Sequence, residues 1–322
     1  MTLPALTPAT RPTLYFIGVT TGQSSILKVF PRWSEALGLG AEIVGVDLPL
    51  HAPAEDYRAV VSFIKDDPLS KGALVTTHKI DCFRATSDLF EKIEPLSALM
   101  GEMSCIAKHD GRLVASAKDP LTSGLATAAI VPDGHFADTG AEALVIGAGG
   151  ASIAITWNLM QAARGADRPS RIIVSDIDQG RLDEIRHIHE RFGADLPVTY
   201  VLAKSREDND ALVSALPAGS FVINATGLGK DGPGSPITDA AVFPERGFVW
   251  ELNYRGDLVF LRQARAQAAS RHLTVEDGWV YFLHGWTRVI ADVFAVDIPT
   301  SGPGFERLSD LAGGRPNPVT AA

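Results

Sequence analysis

Short apolar runs alternate with longer stretches of helical spacing along most of the chain. Residues 13–19 (TLYFIGV) predict a buried strand. Residues 28–38 place Val29, Trp33 and Leu37 on one helical face and stop at Gly38. A strand is predicted at 41–47, a helix at 54–66 with Val60, Val61 and Ile64 inward, and a strand at 72–77. A second series begins at Ala143. It has strands at 143–147, 171–176, 198–202, 220–226 and 247–252, with helices at 151–164, 179–192 and around 210–216. A last helix is predicted at 279–294, and the segment from Gly302 on, with Gly313-Gly314 and three prolines, reads as poorly ordered. Strands separated by helices of about 10–15 residues predict βαβ units and parallel sheets.

A length of 322 residues favours two cores over one. The predicted fold class is α/β. An N-terminal α/β substrate domain (1–124 plus 277–322) accompanies a doubly wound, Rossmann-type domain (125–276), with a cleft between them. The formal net charge of −9 argues against nucleic acid or an anionic membrane surface as partner. Two cysteines, Cys82 and Cys105, predict reduced thiols rather than a disulfide framework. Neither a signal peptide nor an apolar run of membrane-spanning length is present, which predicts a cytoplasmic protein. The eight histidines are scattered and predict no metal site; His187 and His189 read as solvated on a charged helix face.

The strand at 143–147 runs into Gly147-Ala148-Gly149-Gly150-Ala151-Ser152, and a helix follows. A Gly-rich turn between strand and helix suits a pyrophosphate. Gly147 permits the tight turn, Gly149 lets the phosphates approach the backbone, and the helix N-terminus faces them. Ser152 holds the third-glycine position with another small residue. The next strand ends at Asp176, where a carboxylate can accept hydrogen bonds from the adenosine ribose and repels a 2′-phosphate. NAD is therefore favoured over NADP, with Arg181 close enough to soften the preference. Asn224-Ala225-Thr226 ends a later strand and is placed to border the nicotinamide.

Taken in order, these motifs resemble the shikimate/quinate dehydrogenase family over nearly the whole chain. Ser24 stands where the family has Ser-x-Ser-Pro, with Ser25 one place out of register. Residues 73–79 (ALVTTHK) are similar to Asn-Val-Thr-x-Pro-x-Lys, 101–106 (GEMSCI) to Gly-Ala-x-Asn-Thr-Ile, and 117–119 (AKD) to Asn-Thr-Asp. Residues 251–254 (ELNY) are similar to Asp-x-x-Tyr, and Asp277-Gly278 with the helix after it to the closing segment. The resemblance implies reversible oxidation of a secondary alcohol on a polar cyclic carboxylate, with hydride passing to NAD(P) and Lys79 and Asp119 handling the proton. A lysine in a water-poor site can trade protons near neutral pH, and a neighbouring carboxylate orients it.

The substrate side departs from the pattern. Ile26 and Leu27 replace the second Ser and the Pro. Ala73 and Val75 replace an Asn and a Thr, Ser104 and Ala117 replace two asparagines, and Gly285 replaces a Gln beside His284. Losing groups that bond a substrate's hydroxyls loses its recognition. The expected substrate is therefore polar and cyclic but altered. Ser24, Ser25, Thr76, Ser104, Lys118, Tyr254, Tyr281 and His284 are the candidate contacts, and Trp286 offers a further surface. A homodimer is compatible with this reading. The alternative is a non-catalytic protein that senses a metabolite or NAD; retention of Lys79 and Asp119 favours the enzyme.

Overall fold

The computed structural model describes residues 6–193, 195–229 and 232–313. The chain divides into two compact units, one running to Lys118 and resuming at Gly285, the other spanning Asp119–His284.

The first unit contains β1 (Thr13–Gly18), α1 (Ile26–Ala36), β2 (Glu42–Asp47), α2 (Ala54–Asp66), β3 (Ser70–Val75), α3 (Lys79–Thr86), β4 (Lys92–Ile93), α4 (Pro95–Met100), β5 (Cys105–His109) and β6 (Arg112–Ser116). Its sheet has the order β2-β1-β3-β5-β6-β4. β1 pairs in parallel with β2 and β3, but β5 is antiparallel to both β3 and β6. The sheet is mixed, which corrects the expectation of a parallel one. The Asp110-Gly111 turn accounts for the antiparallel β5–β6 pair. Both residues have positive φ, 51° and 74°, the backbone a two-residue hairpin needs. Tyr15, Ile17, Val60, Val61, Ile64, Ala73 and Val75 pack into one apolar cluster, so the inward face of α2 closes on the central strands.

The second unit contains α5 (Asp119–Ile130), α6 (His135–Thr139), β7 (Ala143–Ile146), α7 (Gly150–Met160), β8 (Ile172–Asp176), α8 (Gln179–Phe192), β9 (Val198–Leu202), α9 (Arg206–Ser214), β10 (Phe221–Asn224), β11 (Phe248–Glu251), α10 (Val259–Arg271) and β12 (Thr274–Glu276). α11 (Trp279–Phe294) then carries the chain back to the first unit. The order β9-β8-β7-β10-β11-β12 is parallel throughout. Alternation along β7 explains the double winding. Ala143 and Val145 join one apolar cluster, and Leu144 and Ile146 join another. A strand buried on both faces needs an unbroken apolar run, which residues 143–146 supply.

α8 shows how local sequence fixes an element. The Asp178 carboxylate caps it by accepting from the Gly180 and Arg181 amides, and Gly193 ends it with φ at 62°. Such a cap is worth about 1 kcal/mol. Leu182, Ile185 and Ile188 bury one face. His189 does not sit in solvent as expected. It is 6% exposed, and its Nε2 lies 2.7 Å from Thr156 Oγ1 and its Nδ1 2.7 Å from the Tyr200 hydroxyl. The charged pattern of α8 hid the one polar residue on its inner face. The segment after Gly302 also departs from expectation, since Gly302–Leu311 forms α12. The Trp33 indole donates to the Leu308 carbonyl at 2.8 Å and ties this helix to α1. Residues 314–322, part of that expected tail, lie outside the described residues.

Candidate functional site

In the second unit, β7 and β10 are neighbours although two βα units separate them in sequence. The strand order reverses here, and α/β sheets bind ligands beyond the carboxyl ends of strands at such a point. β7 exits into Gly147, β8 into Asp176, and β10 into Ala225 and Thr226. All of these line one cavity of about 600 Å³, a size suited to a small-molecule or cofactor site.

Gly147 has φ of 104°, and a Cβ there would lie 2.9 Å from the backbone carbon and oxygen of Ala225. The loop and the β10 exit therefore approach backbone to backbone. Gly149 differs. Its φ is −84°, and a Cβ would meet nothing within 4 Å, so its backbone faces open space. α7 begins immediately after it, with no side-chain cap and no acidic residue in its first turn. Uncapped amides at a helix start, with the positive end of the helix dipole, suit a phosphate. Ser152 is fully buried and donates to the Gly147 carbonyl at 2.6 Å, so the third small residue closes the loop onto its helix.

Asp176 accepts the Ala148 amide at 2.7 Å through Oδ2 and the Asp178 amide at 2.9 Å through Oδ1. It couples the Gly-rich loop to the β8 exit, and the capping of α8 falls to Asp178. Arg181, Lys204 and Arg206 line the same cavity. Lys204 and Arg206 were missed in the sequence. Their signal was available, because they follow a strand that exits at the same sheet edge.

Asn224 is fully buried and has its polar atoms committed inside the protein. Its Nδ2 donates to Glu251 Oε2 at 2.7 Å, and its Oδ1 accepts from the Thr226 amide and hydroxyl at 3.1 and 2.7 Å. Ala225 and Thr226 line the cavity; Asn224 does not.

In the first unit, the candidate residues leave one sheet edge. Ser24 follows β1, and Thr76 and Lys79 follow the adjacent parallel β3. Ser104 precedes β5, which runs the opposite way, and Ala117 and Lys118 follow β6, which runs as β3 does. Asp119 continues that last exit by one residue and begins α5 at 9% exposure. Lys79 is the first residue of α3, beyond a turn in which Thr77 has φ of 58°. Its carbonyl accepts from the Met103 amide at 3.2 Å, which joins the α3 turn to the segment carrying Ser104. His78, before it, is 1% exposed, and its Nδ1 lies 2.9 Å from the Tyr57 hydroxyl. Burial lowers its pKa and favours the neutral ring.

Ser24 and Ser25 are half-buried at the end of a 3-10 turn and the start of α1, while Ile26, at the second serine's place, is wholly buried. Thr76 is half-buried. Ser104 is 3% exposed and its Oγ accepts the Lys118 amide at 2.7 Å. The Lys118 ammonium is engaged 2.6 Å from Asp292 and 3.7 Å from Glu94. Burial works against its charge, but Asp292 and Glu94 outweigh it and raise its pKa. Lys118 is thus the centre of an internal ion pair. In the second unit, the Tyr254 ring packs on Phe282 at 4.6 Å and on Trp279 at 5.6 Å, Tyr281 lies edge-on to Trp250, and His284 is buried. Trp286 meets Phe16 edge-on at 5.0 Å. Among the described residues no cluster of metal-ligating side chains is found, and no helix is long and apolar enough to cross a membrane.

No family model matches the chain. It is 28% identical over 181 residues to the shikimate dehydrogenase (NADP(+)) of Streptococcus gordonii, an alignment covering 55% of this chain and 58% of that protein. It is 27% identical over 303 residues to the shikimate dehydrogenase (NADP(+)) of Methylocella silvestris, covering 93% and 96%. In fold it is similar to quinate dehydrogenase from Corynebacterium glutamicum in complex with NAD (TM-score 0.68, 16% identity, 94% and 98% covered). It is also similar to shikimate dehydrogenase from Aquifex aeolicus (0.69, 18%, 94% and 99%). A third likeness is to 5-ketofructose reductase of a Gluconobacter species (0.67, 17%, 95% and 99%). With its two-sheet α/β architecture and low identity throughout, the chain shares its fold with shikimate and quinate dehydrogenases and is similar in sequence to shikimate dehydrogenases.

Proposed function

We propose that the chain is an NAD(P)-dependent oxidoreductase that reversibly oxidises a secondary alcohol on a polar, shikimate- or quinate-like cyclic substrate, with NAD the favoured cofactor. The observation that carries this reading is the Gly147–Gly150 turn at the sheet's reversal point, whose backbone is open at Gly149 and whose helix start is uncapped. A bound nicotinamide would supply the hydride chemistry. The α7 amides would hold the pyrophosphate, and Asp176 would take the adenosine ribose. Asp176 is the ground for NAD. Arg181, Lys204 and Arg206 weigh toward a 2′-phosphate, and the curated relatives carry NADP(+) in their names.

In this reading Lys79 accepts the hydroxyl proton as hydride leaves the carbinol carbon, and returns it in the other direction. Asp119 orients the ammonium and hydrogen-bonds the hydroxyl. The substrate differs from shikimate in the groups it offers, because Ile26, Ala73 and Val75 are buried and apolar and the Ser104 hydroxyl already accepts an internal amide.

The test is NADH and NADPH absorbance with a panel of shikimate, quinate, cyclitols and keto-sugars. Lys79→Met and Asp119→Asn should each lower kcat at least about a hundredfold with little change in cofactor affinity. Binding of cofactor with no turnover on any panel member, while a metabolite raises Tm, would favour the sensing alternative instead.

A further inference from the structure

Glu251 ends β11 and is wholly inaccessible to solvent. It sits opposite Asn224 in the β10–β11 register. Oε2 accepts from Asn224 Nδ2 at 2.7 Å, and Oε1 accepts from the Asn253 amide and Nδ2 at 2.9 and 2.7 Å. Asn224 passes the constraint to Thr226 through Oδ1, and the Thr226 hydroxyl accepts the Leu228 amide at 3.2 Å. Asn253 passes it to the Leu228 carbonyl at 3.1 Å. Both arms of the carboxylate thus converge on the turn from Ala225 to Leu228. Ala225, Thr226 and Leu228 wall the cofactor cavity, and Glu251 does not line it.

We propose that Glu251 is a positioning residue for the dinucleotide: through Asn224 and Asn253 it holds the 225–228 turn in the geometry that binds cofactor, so affinity follows the state of a carboxylate outside the cavity. The inference rests on the reading of this cavity as a dinucleotide site. Buried carboxylates that accept several hydrogen bonds hold their donors most firmly when ionised, and protonation weakens each bond. Burial raises the Glu251 pKa to about 7. The Asn253 and Asn224 hydrogen bonds oppose that rise, and Asp277 adds to it from the next strand's exit. That exit packs directly on the network, since the Gly278 amide donates to the Asn253 carbonyl at 3.1 Å. Ionised Glu251 dominates above the midpoint, so cofactor should bind more tightly there and loosen as pH falls through it.

The experiment is titration of the full chain with NADH, read by nucleotide fluorescence, between about pH 5.5 and pH 8.5. Wild type should weaken about three- to tenfold toward the acid end, a modest coupling for a residue acting through others. Glu251→Gln should bind weakly and without the midpoint. Asn253→Ala should bind more weakly and move the midpoint up, because a carboxylate with fewer donors is harder to ionise. It keeps the test available if Glu251→Gln does not fold. A merely structural role would lower affinity without moving a midpoint, so an unmoved midpoint in Asn253→Ala overturns the inference, as does Glu251→Gln binding with the wild-type profile. Wild type that binds neither NADH nor NADPH would instead refute the dinucleotide reading on which it rests.

Discussion

Two glycines of the loop should respond in opposite ways to the same added methyl group. In Gly147→Ala the new Cβ meets backbone atoms of Ala225 at 2.9 Å and the Thr226 amide at 3.1 Å, and the residue must hold φ at 104°. Neither neighbour is a side chain that can swing away. Left-handed strain costs about 1–2 kcal/mol and the backbone overlap adds a similar amount, so a loss of about 2–4 kcal/mol is expected. In Gly149→Ala the φ of −84° is allowed and the Cβ meets nothing within 4 Å. The alanine reduces unfolded-state entropy but is a poorer N-cap, and the two nearly cancel, within about 0.5 kcal/mol. Its Cβ would nevertheless stand where a pyrophosphate must come close, so NADH affinity should fall at least about tenfold, near 1.4 kcal/mol. Urea unfolding reads the first effect and fluorescence titration the second. A Gly149→Ala protein that keeps wild-type affinity would refute the close-approach argument. A Gly147→Ala protein of unchanged stability would refute the packing of the loop on the β10 exit.

Asp176→Asn should keep the bond from the Ala148 amide and remove one negative charge, raising NADPH affinity relative to NADH about tenfold, measured as a ratio of dissociation constants. Tyr57→Phe should cost about 1–3 kcal/mol in urea unfolding, because it leaves the Nδ1 of wholly buried His78 without its hydroxyl. Burial depresses His189 from 6.5 to about 4. The unfolded chain therefore binds the extra proton between those values, and this residue's contribution to stability falls as pH drops from about 6.5 to about 4, by up to roughly 3 kcal/mol. His189→Gln should flatten that limb of the stability–pH curve. Glu251 works the other way: its folded pKa is raised from 4.5 to about 7, the folded state holds the proton longer, and stability falls as pH rises across that window. Glu251→Gln should remove this loss between about pH 4.5 and 7 in a thermal melt series.

The elements legible in the sequence are those whose ends and faces are marked locally. α2, α8 and α11 lie at the residues their spacing predicts. α9 starts four residues before the predicted 210, at a Ser205–Asp208 capping box that apolar periodicity alone does not detect. The β5–β6 hairpin carried the Asp-Gly signal in plain view, yet alternation across so short a pair is weak. The Gly147–Gly150 turn was readable as a strand–helix junction because its signal is local: glycine spacing, a preceding strand and a following helix. Glu251 and Asn253 were not, because their partners are set by strand register and by a turn about 25 residues away in sequence. Lys118 shows the converse. As sequence it offered a free cation for a carboxylate substrate, and only tertiary packing places its ammonium against Asp292.

Burial has a further consequence where the first unit departs from the family pattern. Ile26, Ala73 and Val75 stand where the family pattern holds polar side chains, and each is wholly buried, Ala73 and Val75 inside the apolar cluster of the sheet. These positions now serve packing. Restoring one polar group, as in Val75→Thr, would place a hydroxyl where no exposed partner waits, at about 1–3 kcal/mol. Reversal toward the family pattern is therefore opposed by the core and not only by lost recognition. The half-buried hydroxyls at the same sheet edge, Ser24 and Thr76, do not carry that penalty. If the proposed substrate contacts hold, substitutions at Ser24 or Thr76 should change KM across a substrate panel while leaving the unfolding midpoint in place.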